Sequence, residues 1–160
     1  MAAMGTVEGL FEREYARLVR ALAVAEDAPH AADAVQEAFI EADRRWDTVS
    51  RLEDPAGWVR RVAVNRLSNG RRNLRRQAEI LRGIRPAEPA ALDPLDLDLL
   101  AGLRALPPRQ RMAVCLFHLA GCSIAQVADA MGVAEGTVKS TLHDARLSLR
   151  RHVEVVDDAR

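Results

Sequence analysis

The feature that most restricts the fold lies between Ser123 and Val153. Ser123-x-x-Gln126 is a capping box, in which each side chain bonds the other residue's backbone N–H and so opens a helix. Behind it Ile124, Val127, Ala128 and Met131 recur at helical spacing and form an inward stripe. Gly132 supplies the left-handed residue that ends this helix. Val133 then plugs the core, and a further helix runs from about Glu135 to Val153 with Val138, Leu142, Ala145 and Leu149 inward. Short helix, glycine turn and amphipathic helix make a helix-turn-helix, whose second helix enters the major groove of DNA. The rest of the chain agrees: 28 Ala and 22 Arg favour helix, and no run of alternating β-branched residues is present.

The expected fold is therefore all-α, with two small helical domains joined by a flexible acidic linker, the C-terminal domain being the helix-turn-helix. In the first domain, residues 1–78, Phe11, Tyr15, Leu18, Val19 and Leu22 repeat at helical spacing. After the turn Glu26-Asp27-Ala28-Pro29 a helix is predicted from about Ala31 to Trp46, burying Val35, Ala38, Phe39, Ala42 and Trp46. A polar stripe of Asp33, Gln36 and Glu37, continued by Ile40 and Arg44, runs along its outside. Asp54-Pro55 starts the next helix, Asp as N-cap and Pro in the first turn. That helix is expected to bury Trp58, Val59, Val62, Ala63 and Leu67 and to turn its arginines outward. Residues 79–98, holding Pro86, Pro89 and Pro94 among alanine and acids, read as an extended linker. In residues 99–160, Leu99, Leu100, Leu103 and Leu106 precede Pro107-Pro108 and a helix from Arg109 to Ala120 that ends at Gly121.

Lys+Arg 23 balances Asp+Glu 23, yet the charge is unevenly spread. Residues 1–46 are acidic on balance, 47–78 strongly basic, and 79–100 acidic again. Seven arginines and no acid lie between Trp58 and Ala78. A neutral chain with one dense arginine block can bind a polyanion locally while its acidic face meets something else. On the last helix Thr137, Lys139, Ser140, His143 and Arg146 form a polar outer face, and Glu135 could accept from a cytosine amino group. Lys139, Arg146, Arg150 and Arg151 suit phosphates. A plain three-helix bundle with solvated faces is the alternative that pattern alone leaves open.

Other classes find no support. The longest apolar run, Met112–Phe117, is far below the roughly 20 residues that cross a bilayer, and no secretory signal opens the chain, so a cytoplasmic protein without membrane contact is expected. Cys115 and Cys122 lack zinc spacing; Cys115 reads as a small core residue and Cys122 as an exposed turn residue. His30, His118 and His152 form no ligand set, and no nucleophile–base–acid arrangement stands out. No metal, cofactor or catalytic activity is expected.

At this point the residues match a family. Leu106-Pro107-Pro108-Arg109-Gln110-Arg111, Ala125-Gln126-Val127-Ala128 and Glu135-Gly136-Thr137-Val138-Lys139-Ser140 closely resemble region 4 of bacterial extracytoplasmic-function sigma factors of the sigma-70 superfamily. Ala32-Asp33-Ala34-Val35-Gln36-Glu37-Ala38-Phe39, Arg44-Arg45-Trp46 and Trp58-Val59-Arg60-Arg61-Val62-Ala63-Val64-Asn65 resemble their region 2. The resemblance implies an initiation factor that directs core RNA polymerase to −10 and −35 elements and aids promoter melting. It implies a polymerase-binding face of Asp33, Gln36, Glu37, Ile40 and Arg44 toward the β′ clamp, with the β flap as a second contact. It assigns −10 binding to Trp58, Arg60, Arg61, Asn65, Arg66, Arg71 and Arg72, with Trp58 also lying on the apolar stripe. It assigns −35 binding to Glu135, Thr137, Lys139, Ser140, His143 and Arg146. An anti-sigma factor is the implied regulator. The rival readings are a stand-alone helix-turn-helix repressor or activator on duplex DNA, and a decoy for an anti-sigma factor. Departures from the family's usual residues are Ala34, Asp43, Asn69, Ala134, Thr141 and Asp144.

Overall fold

The computed structural model describes residues 5–26, 28–78 and 94–158. In order, α1 is Val7–Ala25, α2 Ala28–Arg44, α3 Trp46–Val49 and α4 Pro55–Ala78. The second half holds α5 (Pro94–Ala105), α6 (Pro108–Val114), a π-helical turn (Cys115–Leu119), α7 (Ile124–Met131) and α8 (Glu135–Asp158). No strand occurs among the described residues.

Local chemistry sets most of these boundaries. The Thr6 hydroxyl accepts from Gly9 N at 3.2 Å and caps α1. Helix α2 begins at Ala28, earlier than expected, because Pro29 falls in the first turn, where its missing N–H has no intrahelical partner to lose. It stops at Arg44 rather than Trp46; Trp46 instead opens α3 and donates its indole N–H to Gly5 O at 3.2 Å. Pro94 starts α5 in the same way as Pro29, so positions 94–98 are helical where an extended linker was expected. Leu100 and Leu103 of α5 are buried, as is Leu106 just beyond its end, which holds the helix in place. Residues 79–93 lie outside the described residues.

The helix expected over Arg109–Ala120 is α6 followed by a π turn, in which Ala120 N donates to Cys115 O at 3.0 Å. The wider turn keeps Cys115 and Leu116 inside while Leu119 faces out. Gly121, at φ +70°, then reverses the chain, and Cys122 N reaches back to Leu116 O at 3.0 Å. The capping box forms as the sequence predicts: Gln126 N donates to Ser123 Oγ at 3.1 Å and Ser123 N to Gln126 Oε1 at 3.0 Å. Gly132 takes the left-handed conformation at φ +66°. Helix α8 runs past Val153 to Asp158, there being no glycine or proline to stop it.

With aromatics at only 4%, the core is built from alanine and branched aliphatics. Ala21, Ala25, Ala31, Ala38, Ala42 and Ala63 are fully buried, letting α1, α2 and α4 approach closely. Leu18, Leu22, Leu116 and Leu142 are 2% exposed or less, each burial contributing about 1.5–3 kcal/mol. The buried residues of both halves form one continuous cluster: α4 packs on α7, and α1 packs on the π turn, α5 and α6.

Candidate functional site

Three helices carry the candidate faces. On α2 the side chains of Asp33, Gln36, Glu37, Ile40 and Arg44 are all exposed, three or four residues apart and therefore on adjoining turns. Ile40 is 46% exposed, one of several large apolar side chains open to solvent. It borders a groove of about 420 Å³ between α1 and α2, lined also by Phe11, Gln36, Phe39, Asp43 and Arg44. Phe11 is 39% exposed at this groove, its ring stacked on Tyr15 (centroids 4.3 Å) and meeting the edge of Phe39 at 5.1 Å. Asp43 places a carboxylate among these apolar walls.

On α4, Asp54 caps the helix by accepting from Gly57 N at 2.9 Å. A Cβ at position 57 would stand 2.6 Å from Asp54 Oδ2, so a larger residue there would displace that carboxylate. That same oxygen accepts from Arg60 Nη2 at 2.7 Å, and Arg60 Nη1 lies 3.9 Å from Glu14 Oε2. Arg60 is only 6% exposed, which overturns its assignment to DNA and the expectation that every arginine of this helix points outward. Its guanidinium ties the cap of α4 to α1, and a buried cation needs such partners. Trp58 is half-buried against the core, as its place on the apolar stripe suggests. Arg61, Asn65 and Arg66 are exposed; Arg71 and Arg72 continue the helix with side chains outside the described residues.

Arg66 is engaged by α2. It donates to Glu37 Oε2 and to Glu41 Oε2, both at 2.7 Å. Glu41 escaped the sequence reading, although it follows Glu37 by four residues and so lies one turn along the same stripe.

On α8, Glu135, Thr137, Lys139, Ser140, His143 and Arg146 are all exposed. Ser140 Oγ and Thr141 Oγ1 donate back to Thr137 O at 3.0 and 2.6 Å, leaving their hydroxyl oxygens as acceptors. Asp144 shares a stripe with Thr137 and Thr141, and these three line a groove against Pro107 and Pro108. Lys139, His143, Arg146 and Arg150 fall on the neighbouring stripe, so the acid does not interrupt the cationic row.

Both cysteines are buried. Burial pushes the Cys115 thiol up to about 12 against a weaker lowering by Arg111, and burial raises Cys122 as well. Cys122 is 5% exposed, which corrects its expected exposure: the turn that carries it is covered by the first half, with Arg60, Glu14, Asp54 and Arg17 as the charged groups around it. A second residue the sequence reading missed is Arg111, whose Nε donates to Ala25 O at 2.7 Å and whose Nη1 donates to Arg104 O at 2.9 Å. Among the described residues no group of three or more His, Cys, Asp or Glu could hold a metal, and no helix is long and apolar enough to cross a membrane.

A helix-turn-helix behind a helical half with an acid-and-amide face and an arginine helix is the arrangement of the sigma-70 class. Residues 10–77 match the family described as Sigma-70 region 2, and residues 96–149 the one described as Sigma-70, region 4. The RNA polymerase sigma-E factor of Streptomyces coelicolor is 34% identical over 92% of this chain and 86% of its own. The ECF RNA polymerase sigma factor SigM of Mycobacterium tuberculosis is 34% identical over 89% and 74%, and SigL of the same species 33% over 90% and 86%. The fold is shared with the sigma factor RpoE of Bartonella quintana, solved with the anti-sigma factor NepR: TM-score 0.76, 23% identity, 92% of this chain and 96% of that one. The chain belongs to the extracytoplasmic-function RNA polymerase sigma factors of the sigma-70 family, and it is a transcription initiation factor. A stand-alone repressor is not favoured, since it leaves the region 2 match without a purpose.

Proposed function

We propose that the exposed stripe on α2 docks core RNA polymerase, that α4 holds the opened −10 element, and that α8 lies in the −35 major groove. The observation that carries this reading is the α2 face itself. Acid, amide and an exposed Ile40 stand in one row beside an apolar groove, which suits a partner surface combining basic and apolar groups. The β′ clamp of the polymerase is that partner, with the β flap contacting the second half. The division of the chain is 1–78 for polymerase and −10 element and, from α5 at Pro94 onward, the half for the −35 element.

Capturing an unpaired −10 strand needs polar groups for base edges and cations for phosphates. Asn65 supplies the amide, and Arg61 and Arg66 the cations, with Arg71 and Arg72 further along the helix. Lys139 and Arg146 fix register on the −35 duplex while Glu135, Thr137, Ser140 and His143 face base edges. Nucleotide transfer is the polymerase's chemistry, and this chain contributes none. It works where the polymerase does, in the cytoplasm, under an anti-sigma factor.

Run-off transcription with purified core polymerase and a promoter library tests the reading. Transcripts starting at defined sites are expected. A shifted duplex with no dependence on polymerase would refute it.

A further inference from the structure

We propose that the groove between α1 and α2 takes one arginine side chain of core RNA polymerase, with the Phe11 ring as its platform and the Asp43 carboxylate as its counter-ion. The inference rests on the docking reading above and deepens it. It adds α1 to the interface and names the chemistry of one partner side chain.

Aromatic residues are scarce in this chain: three Phe, one Tyr and two Trp. Half of them, Phe11, Tyr15 and Phe39, meet at this one place. Phe11 and Tyr15 stand one turn apart on α1, and Phe39 closes the cluster from α2, its ring centroid 6.3 Å from that of Tyr15. Phe39 is buried and Tyr15 partly so, and together they support Phe11, which stays open to solvent. Asp43 follows Phe39 by four residues and so lies one turn along the same side of α2. Glu8 and Glu12 line the groove from α1, so that three carboxylates share it with a single cation, Arg44. Within the described residues none of the three carboxylates is in an ion pair, whereas Glu37 and Glu41 on the neighbouring stripe are held by Arg66.

These walls select their occupant. A purely apolar group would strip water from the carboxylates and leave them unpaired, which is costly. A phosphate would be repelled. An arginine satisfies both walls: its guanidinium stacks on an aromatic face, drawn by the ring's quadrupole, while its fork of N–H donors grips a carboxylate. Its hydrocarbon stem suits the apolar Val7 and Ile40. Lysine, a compact and strongly hydrated charge, matches the carboxylates but not the ring. Position supplies the source. Gln36, Ile40 and Arg44 belong both to the groove and to the docking stripe, so a protein seated on the stripe also covers the groove. In open solvent a pair of this kind contributes little, but under such cover it becomes one of the few contacts that dominate an interface.

Association and dissociation rates of the full chain with core polymerase, measured by biolayer interferometry, test this. Asp43→Asn keeps size and removes charge at an exposed site. It should speed dissociation about 10-fold and leave association nearly unchanged, as expected for a covered charge pair rather than a steering charge. Phe11→Leu, which keeps an apolar side chain and removes the ring face, should speed dissociation about 3-fold, while Phe11→Trp should stay within about 2-fold of the parent because it restores a platform. The joint Phe11→Leu, Asp43→Asn change should cost less than the product of the two, since both groups hold one guanidinium. Circular dichroism melts confirm that each variant is folded. An effect of Asp43→Asn on association alone overturns the proposal, and so does a loss with Phe11→Trp as large as with Phe11→Leu. Tighter binding by Asp43→Leu would mean that an apolar side chain fills the groove, and overturns it too. Parental dissociation in all variants, with the Asp33, Gln36 and Glu37 substitution still weak, removes the groove and leaves the α2 stripe as the docking face. A parent chain that fails to bind core polymerase overturns the docking reading itself, and this proposal with it.

Discussion

Replacing Arg60 by alanine separates a structural arginine from a DNA-binding one. The side chain is buried and donates to Asp54 Oδ2 at 2.7 Å, with Glu14 3.9 Å away. A hydrogen bond between charged groups contributes about 1.5–3 kcal/mol. The Asp54 side chain is 45% exposed, so water screens the pair and the low end, about 1.5 kcal/mol, applies. Weaker packing along the aliphatic stem raises the total to about 2 kcal/mol. For a chain of this length each kcal/mol lowers Tm by roughly 2–4 °C, so Arg60→Ala should melt roughly 4–8 °C lower. Because Arg60 meets no phosphate, the salt dependence of holoenzyme binding to a −10 single strand should not change. Arg61→Ala should behave in the opposite way: Tm nearly unchanged, and the log–log salt slope reduced by about 0.7, the value for one neutralised phosphate on a single strand. Circular dichroism melts and fluorescence titrations over a range of salt give both numbers. A reduced salt slope and unchanged Tm for Arg60→Ala would refute the reasoning.

Further outcomes follow from other parts of the molecule. The triple substitution Asp33→Ala, Gln36→Ala, Glu37→Ala should leave the circular dichroism spectrum intact and weaken co-purification with core polymerase at least 10-fold; full retention would remove α2 as the docking face. Replacing Lys139 and Arg146 by alanine should reduce the salt slope on −35 duplex by about 0.9 for each phosphate left without its cation, measured by anisotropy. Ser123→Ala should destabilise the protein by about 1 kcal/mol in urea unfolding, and adding Gln126→Ala should cost less than the sum of the single changes, because one capping box serves both. The Cys115 thiol is pushed from its ordinary 9.0 up to about 12 by burial, so the unfolded chain releases that proton first. The contribution is complete below pH 9 and is lost as pH rises from there through 12, so wild type should lose more stability over that range than Cys115→Ala.

Features that depend on residues near one another in the chain were legible from the outset. The capping box, the left-handed Gly132 and the Asp54 cap each involve partners within a few positions, and each formed as read. The exposed stripes of α2 and α8 follow from a periodicity of about 3.6 and were equally readable. Arg60 and Arg61, adjacent and chemically identical, show where such reading ends. One is buried on Asp54 and Glu14, while the other faces Asp129 across the two halves. Glu37 met Arg66 and Arg111 met Ala25 over separations of 29 and 86 positions, and Cys122 was covered by residues from the far end of the chain. Periodicity tells which side of a helix is apolar, but the depth of a polar side chain depends on what packs above it. That covering element comes from the other half of the chain, so only the assembled fold decides which charges are spent on structure and which remain for polymerase and promoter.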